Sequence, residues 1–384
     1  MDRELLTELD ALEKLVPQWD ALAVRNKRPT SSPAWMLGWL RHLAPPTASA
    51  RVVTVRESGE LIGLAPFFVN ERGRGRVDYR MMGESLPRTS PLASPGREWE
   101  VAEAIGATLE EAAPHPDVIA LENGPVASHW SAALRDTWPG PMHPVARQYL
   151  IQASPTISLH QSSLDAWLAD RSANFRSQMR RIRRQFSAAG GVARMSTTAT
   201  LETDVKAFMR LHAERWEGRG ESSIAARPEE MERLFLDAGG MHVEAHRFRL
   251  CMLEIDGRPI SAQLFSESGG EVLYFNGGWD ERFAKLKPAM LGILYAIEDA
   301  LLRGDERIDL APGGQQYKLR FADGNDPVAW TILMTPGRRL PLTAARVTPM
   351  LAREAARETA KRLLSPENAD RMRRIRNLTK RGHE

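Results

Sequence analysis

This 384-residue sequence contains one cysteine, Cys251. A single thiol excludes an internal disulfide and a metal site built from cysteines, and it is typical of a protein from a reducing compartment. Long apolar runs are also missing. No stretch of eighteen or more apolar residues occurs, and the acidic start MDRELLTELD is unlike a signal peptide. We therefore expect a cytoplasmic protein without a membrane-spanning helix.

Several signatures of well-known chemistry are absent from the sequence. There is no GKS or GKT loop of the kind that binds nucleoside triphosphates, and no GxGxxG motif follows a predicted strand. The HExxH arrangement of zinc hydrolases is missing as well. The sequence therefore gives no support to triphosphate hydrolysis, dinucleotide binding or a metal site.

The basic character of the chain is unevenly distributed. The isoelectric point is near 9.1, but the formal net charge is only +3. Residues 338–384 carry thirteen Lys or Arg and five Asp or Glu, a net charge of +8, so residues 1–337 carry about −5. A protein whose body coats nucleic acid needs a broad basic surface. This distribution argues against that class of protein.

The length suits two domains of about 150–200 residues each. Two stretches of the chain are alike: RVVTVRESGELIGLAPFF, which starts at Arg51, and RLCMLEIDGRPISAQLFS, which starts at Arg249. When they are aligned without a gap, Gly59 matches Gly257. Each stretch predicts two strands joined by a tight turn that carries the glycine, which is a β-hairpin.

The elements predicted around the two hairpins follow one order. A helix precedes each hairpin, and a strand, a helix and a short strand follow it, at 33–43, 77–82, 98–112 and 117–121 and again at 205–216, 272–276, 288–302 and 307–310. A last strand is predicted at 328–334 in the second half. We interpret the order as a tandem duplication of one α+β module, with chance likeness of two generic hairpins as the alternative. The predicted units are residues 1–153, residues 154–340 and a basic helical tail, 341–384.

The most basic segment of the body is NFRSQMRRIRRQF, residues 174–186. Its apolar residues recur at helical spacing and predict an amphipathic helix that packs on a core; they are Phe175, Met179, Ile182 and Phe186. The arginines fall on the other faces. They indicate either a solvated basic face or an anion site.

Five segments of the second half carry a family resemblance: NFRSQMRRIRR (174–184), FMRLHAERWEGRG (208–220), LEIDGRPISA (253–262), YFNGGWDERFAKLKPAMLGIL (274–294) and DLAPGGQQYKLRFA (309–322). They are similar to segments of the CelD-like acetyltransferases of cellulose-biosynthesis loci. That family belongs to the Gcn5-related N-acetyltransferase (GNAT) superfamily and is distantly similar to the FemABX aminoacyl transferases. The resemblance covers about residues 30–335. It implies an α+β fold with two GNAT-like modules, the first degenerate and the second catalytic.

The resemblance implies that the helix starting at Pro288 points its N-terminus at the pyrophosphate of acetyl-CoA or another acyl-CoA. Free backbone N–H groups and the dipole of such a terminus attract anions. The residues that would bind this donor are Lys285, Lys287, Pro288, Ala289 and Met290. The chain departs from the family at Ala289, where glycine is usual, and a charged loop before a helix is the alternative interpretation.

The resemblance also implies roles for three residues of the QYKLRF segment. Tyr317 stands where a tyrosine of the GNAT fold often protonates the departing thiolate. Lys318 is similar in place to the Phe-Lys element of the FemABX enzymes, which implies contact with an anionic group of donor or acceptor, and Arg320 would bind substrate beside it. A core tyrosine with a hydrogen-bonded hydroxyl and solvated helix charges are the alternatives.

An attacking amine must lose a proton, so a carboxylate is expected near it. Asp280, which closes GGWD, and Glu214, in LHAERW, are the catalytic candidates. A turn cap for Asp280 and an ion pair with a neighbouring arginine for Glu214 are the alternatives. His212, alone in its helix, is expected to be packed or at the surface. The residues expected to bind the acceptor are Arg176, Arg180, Arg215 and Trp216.

Three hypotheses about function stay open. The first is an acyl-CoA-dependent N-acyltransferase of the GNAT superfamily, which transfers acyl groups other than aminoacyl groups and uses no metal. Its acceptor would be an amino sugar, an amino acid or another cell-envelope or polysaccharide precursor. The second is a FemABX-like transferase that uses aminoacyl-tRNA, held by the arginines of 176–184 and the basic tail. The third is a non-catalytic scaffold of polysaccharide biosynthesis that contacts a membrane surface through the tail.

Overall fold

The computed structural model describes residues 1–70, 75–84, 86–216, 223–313 and 315–364. The elements of the first half, in chain order, are β1 (Asp2–Leu6), α1 (Leu9–Lys14), α2 (Val16–Arg25), α3 (Pro33–His42), β2 (Ala48–Glu57), β3 (Glu60–Asn70), β4 (Asp78–Met81), β5 (Leu92–Ala93), α4 (Glu98–Glu110), β6 (Val118–Pro125), α5 (Trp130–Asp136) and β7 (Val145–Gln152). Those of the second half are β8 (Pro155–Ser158), α6 (Leu164–Ala169), α7 (Ala173–Ala188), β9 (Gly191–Met195), α8 (Leu201–Trp216), α9 (Ser223–Ala226), α10 (Pro228–His242), β10 (Phe248–Ile255), β11 (Arg258–Ser268), β12 (Glu271–Trp279), α11 (Pro288–Arg303), β13 (Arg307–Asp309), α12 (Gln316–Phe321), β14 (Gly324–Asn325), β15 (Val328–Met334) and α13 (Leu340–Leu364).

Both predicted hairpins are confirmed, and they share fine detail. β2 and β3 are joined by Ser58 and Gly59, and β10 and β11 by Asp256 and Gly257; all four residues have positive φ. This is the geometry of a two-residue type I′ turn, whose twist matches that of the strands. Each hairpin also has a register shift, after Val55 in one and after Leu253 in the other. These two positions match in the gapless alignment, which supports a common origin of the two halves.

The first sheet contains one strand from the second half of the chain, β15. The first sheet has the order β1-β2-β3-β4-β6-β15-β7, with β5 beside β3, and the second has the order β14-β8-β13-β12-β11-β10-β9. β15 thus lies between β6 and β7, and β8 lies between β13 and β14. The strand predicted at 328–334 exists, but it pairs in the first sheet and not with the strands of its own half. The sequence did not show this, because pairing with a distant strand leaves no mark in the local sequence pattern. The module boundaries at residues 153 and 340 stay a prediction.

The helices predicted around the hairpins are confirmed as α3, α4, α8 and α11. Helix α7 buries the apolar stripe that was expected of residues 174–186. Helix α13 begins at Leu340 and runs to Leu364 despite Pro349. The rest of the predicted basic helical tail, residues 365–384, lies outside the described residues.

A hydrophobic core shared by both halves lies between the two sheets. Helices α2 and α3 of the first half meet α8 and α10 of the second half there. Trp35 stacks on Phe248 and Phe275, with ring centroids 6.1 and 5.0 Å away, and its indole N–H donates to Ser266 Oγ at 2.9 Å. Helices α4 and α5 cover the outer face of the first sheet, and α6, α7 and α11 cover that of the second.

Candidate active site

The second sheet opens between β12 and β13. The two strands run parallel and pair only over Glu271–Leu273 of β12 and Arg307–Asp309 of β13. β12 then continues to Trp279, past the end of its neighbour. We call the gap that follows Leu273 and Asp309 the strand opening. Helix α11 starts after β12 and helix α12 starts after β13, so the first turns of both follow the strands that border it.

Two tyrosines meet at the strand opening. Tyr274 of β12 is buried, and its phenol shares a hydrogen bond with the phenol of Tyr317 of α12. Burial raises the pKa of Tyr274 well above its ordinary value, and burial also raises the pKa of Tyr317. Both phenols therefore keep their protons at neutral pH, which is the state that a proton donor needs.

Lys318, next along α12, is buried in the same place. Its side chain is 4 % exposed, and Nζ lies 5.1 Å from the centre of the Tyr274 ring. The one hydrogen bond of the ammonium among the described residues goes to the carbonyl oxygen of Ala311 at 3.4 Å. Burial lowers the pKa of Lys318 to about 8, an effect that the Asp309 carboxylate opposes. An ammonium has three donors, so this side chain retains capacity for an anionic group.

The prediction from sequence missed Gln263, which fastens β11 to the start of α11. Its Nε2 donates to the carbonyl oxygens of Pro288 and Ala289 at 3.2 and 3.0 Å. The close approach requires Gly292, because a Cβ there would lie 2.2 Å from that nitrogen. Oε1 of Gln263 is buried and has no hydrogen-bond partner among the described residues. The available signal in the sequence was a large polar side chain, the amide of Gln263, within the mostly apolar strand segment ISAQLF.

The first turn of α11 has the features of an anion-binding site. Lys287 precedes the helix with φ of +52°, and its carbonyl oxygen accepts from the N–H groups of Met290 and Leu291. Neither Lys285 nor Lys287 forms an ion pair within the described parts of the chain. Pro288 and Met290 are buried in the core, and Pro288 has no N–H. The backbone N–H of Ala289 and the two lysines are therefore what the helix end offers to a ligand. The N-terminus of a sixteen-residue helix attracts anions, and these residues fit the pyrophosphate of an acyl-CoA.

Asp280 caps the 3₁₀ helix Glu281–Leu286, as the structural alternative predicted. Its Oδ1 accepts from the backbone N–H of Arg282 at 2.9 Å, and the guanidinium of the same residue donates to both carboxylate oxygens. Those hydrogen bonds lower the pKa of Asp280. A carboxylate engaged in this way is a weak base.

Glu214 and Arg215, at the end of α8, contact neighbouring charged and aromatic side chains. Glu214 is exposed and paired with Arg210 at 2.9 Å, while the guanidinium of Arg215 lies 4.1 Å above the Trp279 ring and 3.4 Å from Glu281. The side chain of Trp216 lies outside the described residues. Arg210 and Asp280 belong to the lining of a cavity of about 340 Å³, together with the turn between β10 and β11.

Helix α8, which carries Arg210, Glu214 and Arg215, packs directly on β12. A Cβ on Gly278 would come within 2.4 Å of the backbone nitrogen of His212, so only glycine permits this approach. The imidazole of His212 is 1 % exposed and hydrogen-bonds the backbone of Gly277, and burial lowers its pKa to about 4. The expectation that this histidine is packed or at the surface holds, since it is packed. Close packing of α8 on β12 therefore explains the glycine at position 278 of the GGWD segment.

The contacts of Arg176 and Arg180, two arginines of α7, do not involve residues of the strand opening. Arg176 donates to the carbonyl oxygens of Ala169 and Arg171 at 2.9 and 2.8 Å, which satisfies the end of α6. Arg180 is exposed, and its nearest acidic partner, Asp165, is 4.0 Å away. Arg320 of α12 joins this surface through a 2.5 Å hydrogen bond to Gln178. The structure thus brings Tyr317 and Lys318 together with Tyr274, while Arg176, Arg180 and Arg320 form a separate surface group.

Two kinds of feature are absent from the described residues: a metal-binding cluster and a membrane-spanning helix. No cluster of three or more His, Cys, Asp or Glu side chains is arranged to bind a metal ion. Among the same residues, no helix has both the length and the apolar character needed to cross a membrane.

Residues 173–319 match a protein-family model described as an acetyltransferase (GNAT) domain. The match contains the strand opening, α11 and Tyr317 and Lys318, and it supports an acyltransferase. It does not confirm the finer resemblance to the CelD-like family. Comparison with curated proteins gives no match.

Solved structures with a similar fold cover almost the whole chain. FemX is 13% identical, with a TM-score of 0.60 over 88% of this chain and 98% of its own. The C-terminal domain of a protein described as a lysylphosphatidylglycerol synthetase from Agrobacterium fabrum is 9% identical, with a TM-score of 0.56 over 89% and 96%. L-PGS from Bacillus licheniformis is 11% identical, with a TM-score of 0.50 over 91% and 98%. Such low identities establish the fold alone. The predicted α+β fold of tandem GNAT-like modules is confirmed.

Proposed function

We propose that this protein is an acyl-CoA-dependent N-acyltransferase that acts on an amino sugar, an amino acid or another cell-envelope precursor. The observation that carries the proposal is the meeting of Tyr274, Tyr317 and Lys318 at the strand opening, next to a helix start that fits an anionic donor. The family match over 173–319 supports the same chemistry. The compartment we propose is the cytoplasm, because the chain has a single cysteine.

The donor site that we propose consists of the first turn of α11 with Lys285 and Lys287. When bound, an acyl-CoA supplies the acyl group as a thioester. The two lysines would each add a point charge to the partial positive charge of the helix end. Ala289 takes the place where glycine would let a ligand approach the backbone more closely, so we expect the lysines to contribute much of the affinity.

In this proposal, Tyr317 donates a proton to the departing thiolate. Its phenol keeps its proton at neutral pH because burial raises its pKa. In acyl transfer to an amine, the nitrogen bonds to the acyl carbon and gives up a proton to solvent, the bond from that carbon to sulfur breaks, and the thiolate needs a proton. The hydrogen bond from Tyr274 holds the phenol oxygen of Tyr317 in place at the strand opening.

Lys318 stabilises negative charge in the proposal. With a pKa lowered to about 8 it is mostly a cation at neutral pH. A buried cation with free donors lowers the energy of a negative charge that develops beside it. Asp280 is a poor candidate for the base because its carboxylate is engaged by Arg282, and we assign it the role of a cap.

The test is to incubate the protein with acyl-CoA donors of two to eight carbons and a panel of amino sugars and amino acids. The release of free thiol measures the rate of turnover. The double variant Tyr317→Phe, Lys318→Ala is expected to lose at least about 100-fold in rate, the usual range for a positioned proton donor. Tyr295→Phe is the matched control, since this tyrosine of α11 contacts Phe186 and Arg183 instead. Full activity of the double variant would refute the site.

The second candidate is aminoacyl transfer from a charged tRNA. The similarity of fold to FemX and to proteins named for lysylphosphatidylglycerol synthesis favours it. The exposed arginines of α7 would then meet the phosphate backbone. A tRNA gel shift that weakens steeply between 50 and 200 mM salt is the expected sign, because phosphate contacts release counterions. Absence of a shift, or one insensitive to salt, rejects this candidate.

A further inference from the structure

Arg88 belongs to the first half of the chain, but its side chain ends among residues of the second half. It is 4 % exposed, and its backbone φ is +58°, a left-handed conformation that is uncommon for arginine. Its guanidinium donates to the carbonyl oxygen and the carboxylate of Asp326 at 2.8 and 2.5 Å. Nη1 also lies 2.9 Å from Oδ2 of Asp309. That contact is an ion pair and not a hydrogen bond, because Oδ2 of Asp309 has no hydrogen-bond partner among the described residues.

Asp309 is fully buried at the end of β13 and organises the turn that leads to α12. Its Oδ1 accepts from Ser154 Oγ at 2.6 Å and from the backbone N–H of Ala311 at 2.8 Å. The second contact helps hold Ala311 at φ of +60°, and its carbonyl oxygen lies 3.4 Å from Nζ of Lys318. Among the described residues, Arg88 is the only cationic side chain within 4 Å of the Asp309 carboxylate. Contacts therefore lead continuously from Arg88 to the ammonium at the strand opening.

We propose that Arg88 is a positioning residue for this site: through Asp309, the first half of the chain fixes where the ammonium of Lys318 lies and balances the charge beside it. The inference rests on the proposed function, in which Lys318 acts on bound substrate. Without the charge of Arg88, the negative charge of Asp309 acts on Lys318 with no positive charge beside it to oppose it, and such buried charges interact at low effective dielectric. The ammonium is then held by the protein and is less available to an anionic group of the substrate.

The charges around Lys318 give this role a distinct signature. The groups that face it are Tyr274 of β12, Asp309 of β13 and Tyr317 of its own helix, with Arg88, Arg307 and Asp326 behind Asp309. Loss of the positive charge of Arg88 is expected to raise the pKa of Lys318, because a like charge that opposes the ammonium is then removed. Loss of the negative charge of Asp309 lowers the pKa of Lys318, because burial is then unopposed. A residue that only stabilises the fold does not produce shifts of opposite sign.

The experiment is a pH titration of lysine side chains by NMR. The chain has only eight lysines, so protein labelled with ¹³C at the lysine ε-carbon gives few signals, and the Lys318→Arg variant identifies the one of interest. In Arg88→Gln we expect the pKa of Lys318 to rise by about one unit, and in Asp309→Asn we expect it to fall by about one unit. Arg88→Lys keeps the charge and is expected to restore the wild-type value to within about half a unit.

Arg249→Gln is the matched control, because this arginine is equally buried but pairs with Asp305; the pKa of Lys318 is expected to stay unchanged. If Arg88→Gln does not fold, the pKa of Lys318 in Asp309→Asn is compared with its value in Arg88→Lys, and that difference tests the inference. An unchanged Lys318 titration in Asp309→Asn, or in folded Arg88→Gln, overturns the inference. The titration needs no substrate. Acyl-CoA binding that fails while the shifts occur refutes the proposed function alone, and turnover without the shifts refutes the positioning role alone.

Discussion

Nη1 of Arg88 lies 2.9 Å from Oδ2 of Asp309, and the two residues come from different halves of the chain. The side chains are 4 % and 0 % exposed, so neither charge is compensated by solvent. A buried pair of this kind adds little stability by itself, but removal of one partner leaves an uncompensated charge. The pair therefore links the integrity of the second sheet to the first half of the chain.

The first prediction concerns the stability of this pair. Arg88→Met is expected to reduce the free energy of unfolding by about 3–5 kcal/mol, because it leaves Asp309 buried without a cation. The double variant Arg88→Met, Asp309→Asn is expected to lose less than the sum of the single variants, by about 1–3 kcal/mol. Urea unfolding of the four proteins measures this coupling. The exposed pair Arg3 and Glu111 is the control, with an expected coupling below about 1 kcal/mol. Strict additivity at Arg88 and Asp309 would show that the pair does not interact.

A second prediction concerns the glycine under α8. Gly278→Ala places a Cβ within 2.4 Å of the backbone of His212. Backbone cannot move aside as a side chain can, so we expect the free energy of unfolding to fall by at least about 2 kcal/mol. Gly240→Ala is the control: it lies in α10, a Cβ there meets nothing within 4 Å, and helix propensity predicts a gain of about 0.5–1 kcal/mol. Equal unfolding midpoints for the two variants would contradict the packing described for α8 and β12.

His212 gives a prediction about pH. The folded protein lowers its pKa from 6.5 to about 4, mainly by burial. Between those two values the unfolded chain binds a proton that the folded chain does not, so stability falls as the pH falls from 6.5 to 4. The expected loss is up to about 3 kcal/mol. His212→Gln removes this contribution. The difference between the two proteins in urea unfolding should therefore shrink as the pH falls through that range, and a constant difference would show that the imidazole is not buried in its neutral form.

The sequence was sufficient for the features that local patterns encode. The hairpins at Gly59 and Gly257 follow from turn chemistry and alternation, and the α7 helix follows from the spacing of Phe175 to Phe186. Tyr317 and Lys318 were found because they share one short segment. Their surroundings were not found, since Gln263 acts on the carbonyls of Pro288 and Ala289 only after β11 has met α11.

Contacts between distant parts of the chain were beyond the reach of sequence patterns. Arg88 lies in SLPRTS, a segment whose composition predicts no more than a loop. Its partner Asp309 is 221 positions further on, and no periodicity connects the two. The place of β15 in the first sheet was missed for the same reason, because a strand pattern records which faces are buried but not which sheet buries them.

The central claim is that the second half of the chain holds an acyl-CoA at the start of α11, beside Tyr317 and Lys318. Isothermal titration with acetyl-CoA tests it without knowledge of the acceptor. We predict saturable binding at micromolar to millimolar concentration, weakened at least about tenfold, or about 1.4 kcal/mol, by the double variant Lys285→Ala, Lys287→Ala. Lys206→Ala, in which an exposed lysine paired with Glu202 is removed, is expected to bind as the wild type does. No binding of acetyl-CoA or longer acyl-CoAs at millimolar concentration, or equal affinity in the double variant, would contradict the account.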